Sequence, residues 1–435
     1  MPSRPHTPDA VVSSRRGFLQ TSLAAGAVIA GGAIPTLLSR GAFAMQDAKP
    51  KSLKILVLGG SQFIGPALVE IARKRGHSIT VFNRGITEKK KGSLGDDVER
   101  IIGDRDPDKG DGIKNLAGKT WDVCIDDSGY YPRHVKAVAE LLAPNIKQYI
   151  FVSSISAYAD NSKAGQDESA DLAKLADPTV ETMGNGGEFY GGLKVLCEQA
   201  AEKALPGRTT IVRPGFIVGP GDPTDRFTWW PWRVQHSGQD GYGMEMLAPG
   251  TPNDPMQVID VRDLAAFLIH VSENNTIGVF NACGPAPEHA LTMGGMLDAS
   301  KSACAKMGAA GGAGAKTELT WVSGKFIRDF PEPIDTTIWI PPEGESLGFH
   351  QWSNAAAIKA GMTFTPIETT IIDTLEWFPK ELERRVRVSA QLIEEAKAKG
   401  EAAPNFGTPD KIRTGISPEL EKKVLEAWHA NAKAG

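Results

Sequence analysis

Two side chains able to move a proton stand four residues apart in Tyr190-Gly-Gly-Leu-Lys194. In a helix that spacing places both on one face. An ammonium beside a phenol favours the phenolate and draws its pKa from about 10 toward working pH. Such a phenol can serve as general acid/base for an alcohol and its carbonyl. Of the six tyrosines, only Tyr190 has a lysine four residues on. That spacing also arises by chance, so the surroundings decide. Upstream, Phe151-Val152-Ser153-Ser154-Ile155-Ser156-Ala157-Tyr158 ends an apolar run in a cluster of hydroxyls. In open α/β sheets, ligands gather at such carboxyl ends of strands.

The elements that must position these groups read as alternating strands and helices. Residues 53–58 are a short buried strand running into Gly59-Gly60. Residues 63–75 follow at helical spacing, with Ile64, Leu68, Ile71 and Ala72 on one face and Gly76 as the stop. Further strands are expected over 78–82, 98–102, 121–125, 148–152 and 209–212, and helices over 131–142 and 188–204. This alternation means βαβ units: an α/β fold with a doubly wound parallel sheet and helices on both faces. It is expected over 45–282. Residues 283–380, with 216–255 contributing, read as a smaller interleaved C-terminal substrate lobe, and 381–435 as a helical tail. Residues 308–315 read as a flexible glycine-alanine loop.

Gly59-Gly60-Ser61-Gln62-Phe63-Ile64-Gly65 joins the first strand to the first helix. Glycines there allow a tight turn and a close approach to a pyrophosphate, which sits on the free N–H groups of the helix N-terminus. The bland alternative is an ordinary tight βα turn. A site selecting NAD usually carries an acidic residue at the end of the second strand. Here Asn83 and Arg84 stand in its place. Arg84 can pair with a 2′-phosphate, so NADP(H) is expected ahead of NAD(H). Its alternative is a solvated loop arginine.

In this order the motifs resemble the extended short-chain dehydrogenase/reductase superfamily, specifically the NAD-dependent epimerase/dehydratase family. The resemblance spans residues 53–265. Gly59 and Gly65 match the first and third glycines of G-x-x-G-x-x-G, while Gln62 replaces the second. It implies a Rossmann fold whose turn, from Gly59 through Gly60, Ser61, Gln62, Phe63 and Ile64 to Gly65, cradles NADP or NAD. It implies that Asp104 contacts the adenine amino group and that Ser128-Gly129 passes under the cofactor. Arg213-Pro214-Gly-Phe-Ile-Val-Gly-Pro220 matches the segment flanking the nicotinamide, and 258–265 matches a further family segment. The family serine that holds the reacting oxygen maps to Ser154, with Ser153 and Ser156 as alternatives. The implied catalytic set is therefore Ser154, Tyr190 and Lys194, with Lys194 also holding the nicotinamide ribose.

The stretch 222–233 is dense in Trp and Arg. Aromatic faces beside guanidinium groups suit sugars, aryl rings or carboxylates, which makes Arg226, Trp229 and Arg233 substrate candidates. The competing reading is a Trp-rich lobe core with surface arginines. Leu420, Val424, Leu425 and Trp428 form an apolar stripe after Ser417-Pro418, a helix start. That stripe packs on its own lobe or on a second subunit, so a homo-oligomer stays open. The eight histidines show no metal spacing and the four cysteines no C-x-x-C pair. Cys124 and Cys197 fall in elements expected to be buried.

At the N-terminus, Ser14-Arg15-Arg16-Gly17-Phe18-Leu19-Gln20 resembles the bacterial twin-arginine export signal. A weakly apolar stretch, 23–38, and Ala42-Phe43-Ala44 complete a cleavable signal over 1–44, leaving no membrane span. The resemblance implies use of the twin-arginine machinery, which exports folded proteins, and a periplasmic location. Residues 1–44 hold Arg4, Arg15, Arg16 and Arg40 against Asp9, so their removal takes the formal charge from −4 to −7. An acidic chain argues against nucleic acid as the main partner. The expected function is an exported oxidoreductase of epimerase/dehydratase type that acts on a small molecule with a hydroxyl or carbonyl group and holds its cofactor tightly. The alternatives are a simple NADP-dependent ketone or aldehyde reductase, and a non-catalytic nucleotide- or RNA-binding relative.

Overall fold

The computed structural model describes residues 52–434. The expected export signal and its cleavage site lie outside them. Along the chain, β1 (Lys54–Leu58), α1 (Ile64–Lys74), β2 (Ser78–Asn83), α2 (Ile86–Lys91), β3 (Glu99–Ile102), β4 (Val123–Asp126), α3 (Pro132–Leu142), β5 (Gln148–Val152), α4 (Tyr190–Ala204) and β6 (Thr209–Pro214) alternate as anticipated. Then come β7 (Phe216–Val218), α5 (Trp229–Gln235), β8 (Glu245–Pro249), β9 (Pro255–Met256), β10 (Val258–Asp260), α6 (Val261–Glu273) and β11 (Gly278–Ala282). The chain continues through β12 (Leu291–Thr292), α7 (Met293–Lys306), β13 (Glu318–Val322), α8 (Gly324–Asp329), α9 (Ala355–Lys359), α10 (Ile367–Lys399) and α11 (Pro418–Ala434).

Seven strands form one parallel sheet in the order β3-β2-β1-β4-β5-β6-β11. Their Ile-, Val- and Leu-rich runs are buried on both faces, as a parallel sheet requires. Helices α1 and α6 cover one face and α3 and α4 the other. The strand order reverses at β1, whose neighbours are β2 and β4. The crevice past the carboxyl ends of β1 and β4 is therefore the switch point where such sheets take ligands. It brings together the glycine turn after β1, Asp127 after β4 and, one strand further, Ser154 after β5.

Outside the sheet, a second core draws on residues from 216 onward and on residues after 283. It joins Phe227, Trp229, Trp230 and Val234 to Met293, Leu297, Trp339, Ile371 and Leu375, and also to Ile416, Val424 and Leu425. Helix α11 thus completes this lobe, and the expected tail at 381–435 is no separate unit. Helix α10 runs unbroken across the expected boundary at 380. Two buried ion pairs fasten these distant pieces: Arg385 of α10 to Asp225, and Arg233 of α5 to Glu421 of α11. The glycine-alanine stretch, expected as a flexible loop, packs closely on α7. It forms two short 3-10 turns, because a Cβ on Gly311 would lie 1.9 Å from the Cys304 carbonyl oxygen and one on Gly314 2.6 Å from the Cys304 Sγ. Its glycines serve close packing on α7. All four cysteines are buried and unpaired.

Candidate active site

A cleft of about 860 Å³ opens at the switch point, reaching from the glycine turn to Arg226 and Phe349. Ser61, Gln62, Phe63 and Ile64 line it together with Gly59 and Gly60, which adopt φ +105° and +70°. Gly65 lies behind this wall. A Cβ there would come 2.1 Å from the Gly60 carbonyl, so the third glycine lets α1 start directly against the turn. Phe63 closes the turn at φ 50°, a conformation non-glycine residues rarely hold. Asn83 lines the cleft but spends its amide on the backbone, donating to Gly59 O (3.1 Å) and accepting from Gly85 N (2.7 Å). Arg84 also lines the cleft, is exposed, and has no hydrogen-bond or ion-pair partner among the described residues.

Sequence reading missed the acidic pair that ends β4. Asp126 is wholly buried and takes a two-pronged pair from Arg105 (2.6 and 2.7 Å) and the Tyr149 hydroxyl (2.6 Å). Arg105 also donates to Ser128 Oγ (2.9 Å), which in turn donates to Leu58 O (2.9 Å). Ser128 is thereby fixed in the cleft wall, which Asp104 also lines. Asp127 lines the cleft against the glycine turn and accepts from Gly60 N at 3.3 Å. Desolvation, reinforced by the neighbouring Asp126 charge, pushes its pKa up to about 7. Two successive acids at the end of an apolar strand were the available signal.

Ser154, Tyr190 and Lys194 converge on the cleft. Ser154 caps a 3-10 turn (155–157), its Oγ accepting from Ser156 N (3.1 Å). The two glycines of Tyr190-Gly-Gly-Leu-Lys194 let α4 press onto that turn. A Cβ on Gly191 would lie 2.0 Å from Ser156 O, and one on Gly192 2.5 Å from the Leu175 side chain. Ser154 and Tyr190 thereby line the same part of the cleft, and the Ser154 hydroxyl acts to lower the Tyr190 pKa. Of the alternative serines, Ser153 donates instead to Glu198 (2.5 Å), beneath the site. Ser156 is exposed in the cleft wall.

The electrostatics differ from expectation at one point. Tyr190 is raised to about 12 rather than lowered, because burial dominates, followed by the neighbouring Tyr130, against opposing effects of Ser154 and Arg226. Lys194 is wholly inside and directs its ammonium into two main-chain carbonyls, Val152 O (2.8 Å) and Gly129 O (2.9 Å). Burial brings its own pKa down to about 8. Gly129 thus serves as a Lys194 anchor and is packed against Phe151, while Pro214 lines the cleft opposite.

On the far side, Phe216, Ile217, Arg226 and Phe349 form the wall. Trp229 and Arg233 do not reach it. Both are 0% exposed in the lobe core. Trp229 stands edge-on to Trp230 (4.7 Å), and Arg233 is neutralised by Glu421 (2.8 Å) and capped by Glu245 O (2.9 Å). That partner lies 188 residues away, so nothing local in the sequence revealed that Arg233 points inward. No cluster of three metal-binding side chains occurs among the described residues.

A family model described as the NAD dependent epimerase/dehydratase family matches residues 55–283, more than half of the chain. The chain belongs to that family. It is 27% identical over 268 residues to the "chloroplast stem-loop binding protein of 41 kDa b" of Arabidopsis thaliana, covering 59% of this chain and 63% of that protein's length. It is 28% identical over 269 residues to the epimerase family protein SDR39U1 of Homo sapiens, covering 56% of this chain and 80% of that one. Among solved structures, UDP-glucuronic acid 4-epimerase from Bacillus cereus in complex with NAD matches with a TM-score of 0.53, 14% identity, and coverage of 77% and 99%. That likeness shows the shared fold.

Membership makes NAD or NADP the cofactor, and the cleft fits one. Gly59 and Gly60 turn the backbone at positive φ along the cleft, α1 starts at the end of that turn, and Arg84 is uncommitted at the end of β2. The turn also makes binding sensitive to pH. Asp127, with its pKa near 7, is neutral below that value and negative above it. A negative carboxylate at Gly60 N opposes the anionic diphosphate that such turns receive. Cofactor affinity is therefore expected to fall, by up to about tenfold, from about pH 6 to about pH 8. Fluorescence titration checks this; Asp127→Asn should flatten the profile, and a profile unchanged by that substitution would exonerate Asp127.

Proposed function

We propose that the chain is an exported oxidoreductase of epimerase/dehydratase type, acting on a hydroxyl or carbonyl carbon through Ser154, Tyr190 and Lys194. The observation that carries this reading is the convergence of those three side chains on the same cleft as the glycine turn. When bound, the nicotinamide supplies or accepts a hydride. Tyr190 holds the proton that joins or leaves the substrate oxygen, and a phenol with a pKa near 12 is protonated at neutral pH, ready to donate as a carbonyl is reduced. The Ser154 hydroxyl, which lines the cleft with Tyr190, orients the same oxygen. Lys194 fixes the floor of the site through Val152 O and Gly129 O.

Arg84 makes NADP(H) the preferred form. Dissociation constants for NADP and NAD should favour NADP, and Arg84→Ala should erase most of that preference, about ten- to a hundredfold for a lost charge-assisted pair. A wild type preferring NAD would remove Arg84 from this role.

Export motivates redox-neutral chemistry, such as epimerisation or dehydration, because a cofactor carried out inside the folded protein must be regenerated in place. Arg15→Lys with Arg16→Lys should leave the precursor in the cytoplasm, as cell fractionation would show. Mature protein still reaching the periplasm would point to the general secretory route instead.

A second reading, a nucleic-acid-binding protein, draws on the name of the chloroplast relative. The acidic charge of the chain after residue 44 weighs against it.

A further inference from the structure

Arg226 sits on a loop built to hold it. Buried Asp222 accepts from Thr224 N (2.8 Å) and Thr224 Oγ1 (2.7 Å), bracing the segment before it. Asp225, wholly buried at φ +63°, pairs with both terminal nitrogens of Arg385 (2.7 and 2.5 Å) and accepts from Arg413 N (3.1 Å). With residues 222 and 225 pinned inward, residue 226 faces the cleft. Its guanidinium lies 5.1 Å from the centre of the Phe216 ring, and its side chain makes one hydrogen bond, Nε to Thr224 Oγ1 at 3.3 Å. Two arginines of the lobe core contrast with it: Arg233 and Arg385 are each paired with a carboxylate. Arg226 has no carboxylate partner among the described residues, so both terminal nitrogens remain to bind something else.

A guanidinium laid on an aromatic ring, with two free terminal nitrogens, is a two-pronged receptor for an anion. Phe216 and Phe349, with ring centres 5.7 Å apart and planes tilted by 51°, give the same wall an apolar face. Arg226 and Tyr190 line the same cleft, so the receptor and the proton donor face one substrate space. We propose that the substrate carries an anionic group, carboxylate or phosphate, that pairs with Arg226 while its hydroxyl or carbonyl carbon lies at Ser154 and Tyr190. This inference rests on the oxidoreductase reading above. Neutral analogues would cover the guanidinium and leave it without a partner, which disfavours them.

The test uses the protein saturated with NADP, titrated in a calorimeter. D-glucuronate and mandelate are compared with D-glucose and mandelamide, and D-glucose 6-phosphate forms the phosphate arm. At least one anion should bind about tenfold or more tightly than its neutral counterpart. That gain should vanish in Arg226→Gln and return in part in Arg226→Lys, with NADP affinity unchanged in both. A gain for the acids alone identifies a carboxylate, and one for the 6-phosphate identifies a phosphate; either bears out the anion. Anions binding no better than neutral partners would overturn the inference while leaving the oxidoreductase reading intact. So would a gain that survives Arg226→Gln, or a tenfold loss of NADP affinity in that variant, which would assign Arg226 to the cofactor's own phosphates. A wild-type protein that binds neither NADP nor NAD would sink the oxidoreductase reading itself, and this inference with it.

Discussion

Tyr190→Phe should slow hydride transfer by about 10²–10⁴-fold, the usual contribution of a positioned proton donor. The substitution removes one oxygen and keeps the ring, whose centre lies 6.5 Å from that of Tyr130, so packing changes little. Cofactor affinity should be retained, because the glycine turn and Arg84 are untouched. Single-turnover measurement of nicotinamide absorbance separates the two effects. A Tyr190→Phe protein that turns over at the wild-type rate would move proton transfer to another group.

Lys194→Met should damage more than the rate. The ammonium is the donor to Val152 O at the end of β5 and to Gly129 O in the loop after β4. Leaving buried carbonyls without a partner costs about 1–3 kcal/mol each. The variant should therefore unfold earlier in denaturant, bind cofactor less well as the floor shifts, and lose at least about 10²-fold in rate. The order of the two variants is the discriminating result. Tyr190→Phe should keep wild-type stability, whereas Lys194→Met should not. Equal stability in both would mean that the lysine is no anchor.

The fold was legible because its code is local. Apolar runs of strand length alternate with amphipathic helices, and Gly59-Gly60 marks the turn between the first pair. Tyr190 and Lys194 were legible for the same reason, since four residues in a helix fix which face they share. The phenol's pKa was not. It depends on how completely the ring is buried and on where the Lys194 ammonium points, and both are set by the packing of α4 against the 3-10 turn after β5. Arg226 and Arg233 look alike in sequence, seven residues apart. One faces the cleft because Asp225 pairs with Arg385; the other is buried because Glu421 meets it inside. Those partners arrive from α10 and α11, over separations no periodicity reports. Asp127 shows the same limit, for its carboxylate matters only because the sheet order sets β4 beside β1.

The nucleotide held by the purified protein tests the central claim most directly. The mature chain, isolated without added cofactor, would be denatured and the released small molecules identified by mass, with a calorimetric titration of NADP and NAD on the stripped, refolded protein as the companion reading. The expected result is NADP or NAD released from the chain, or saturable binding of one of them at a single site that weakens in Arg84→Ala. Release of neither, together with no binding of either to a protein that has regained its fold, would contradict the assignment of this cleft to nicotinamide redox chemistry.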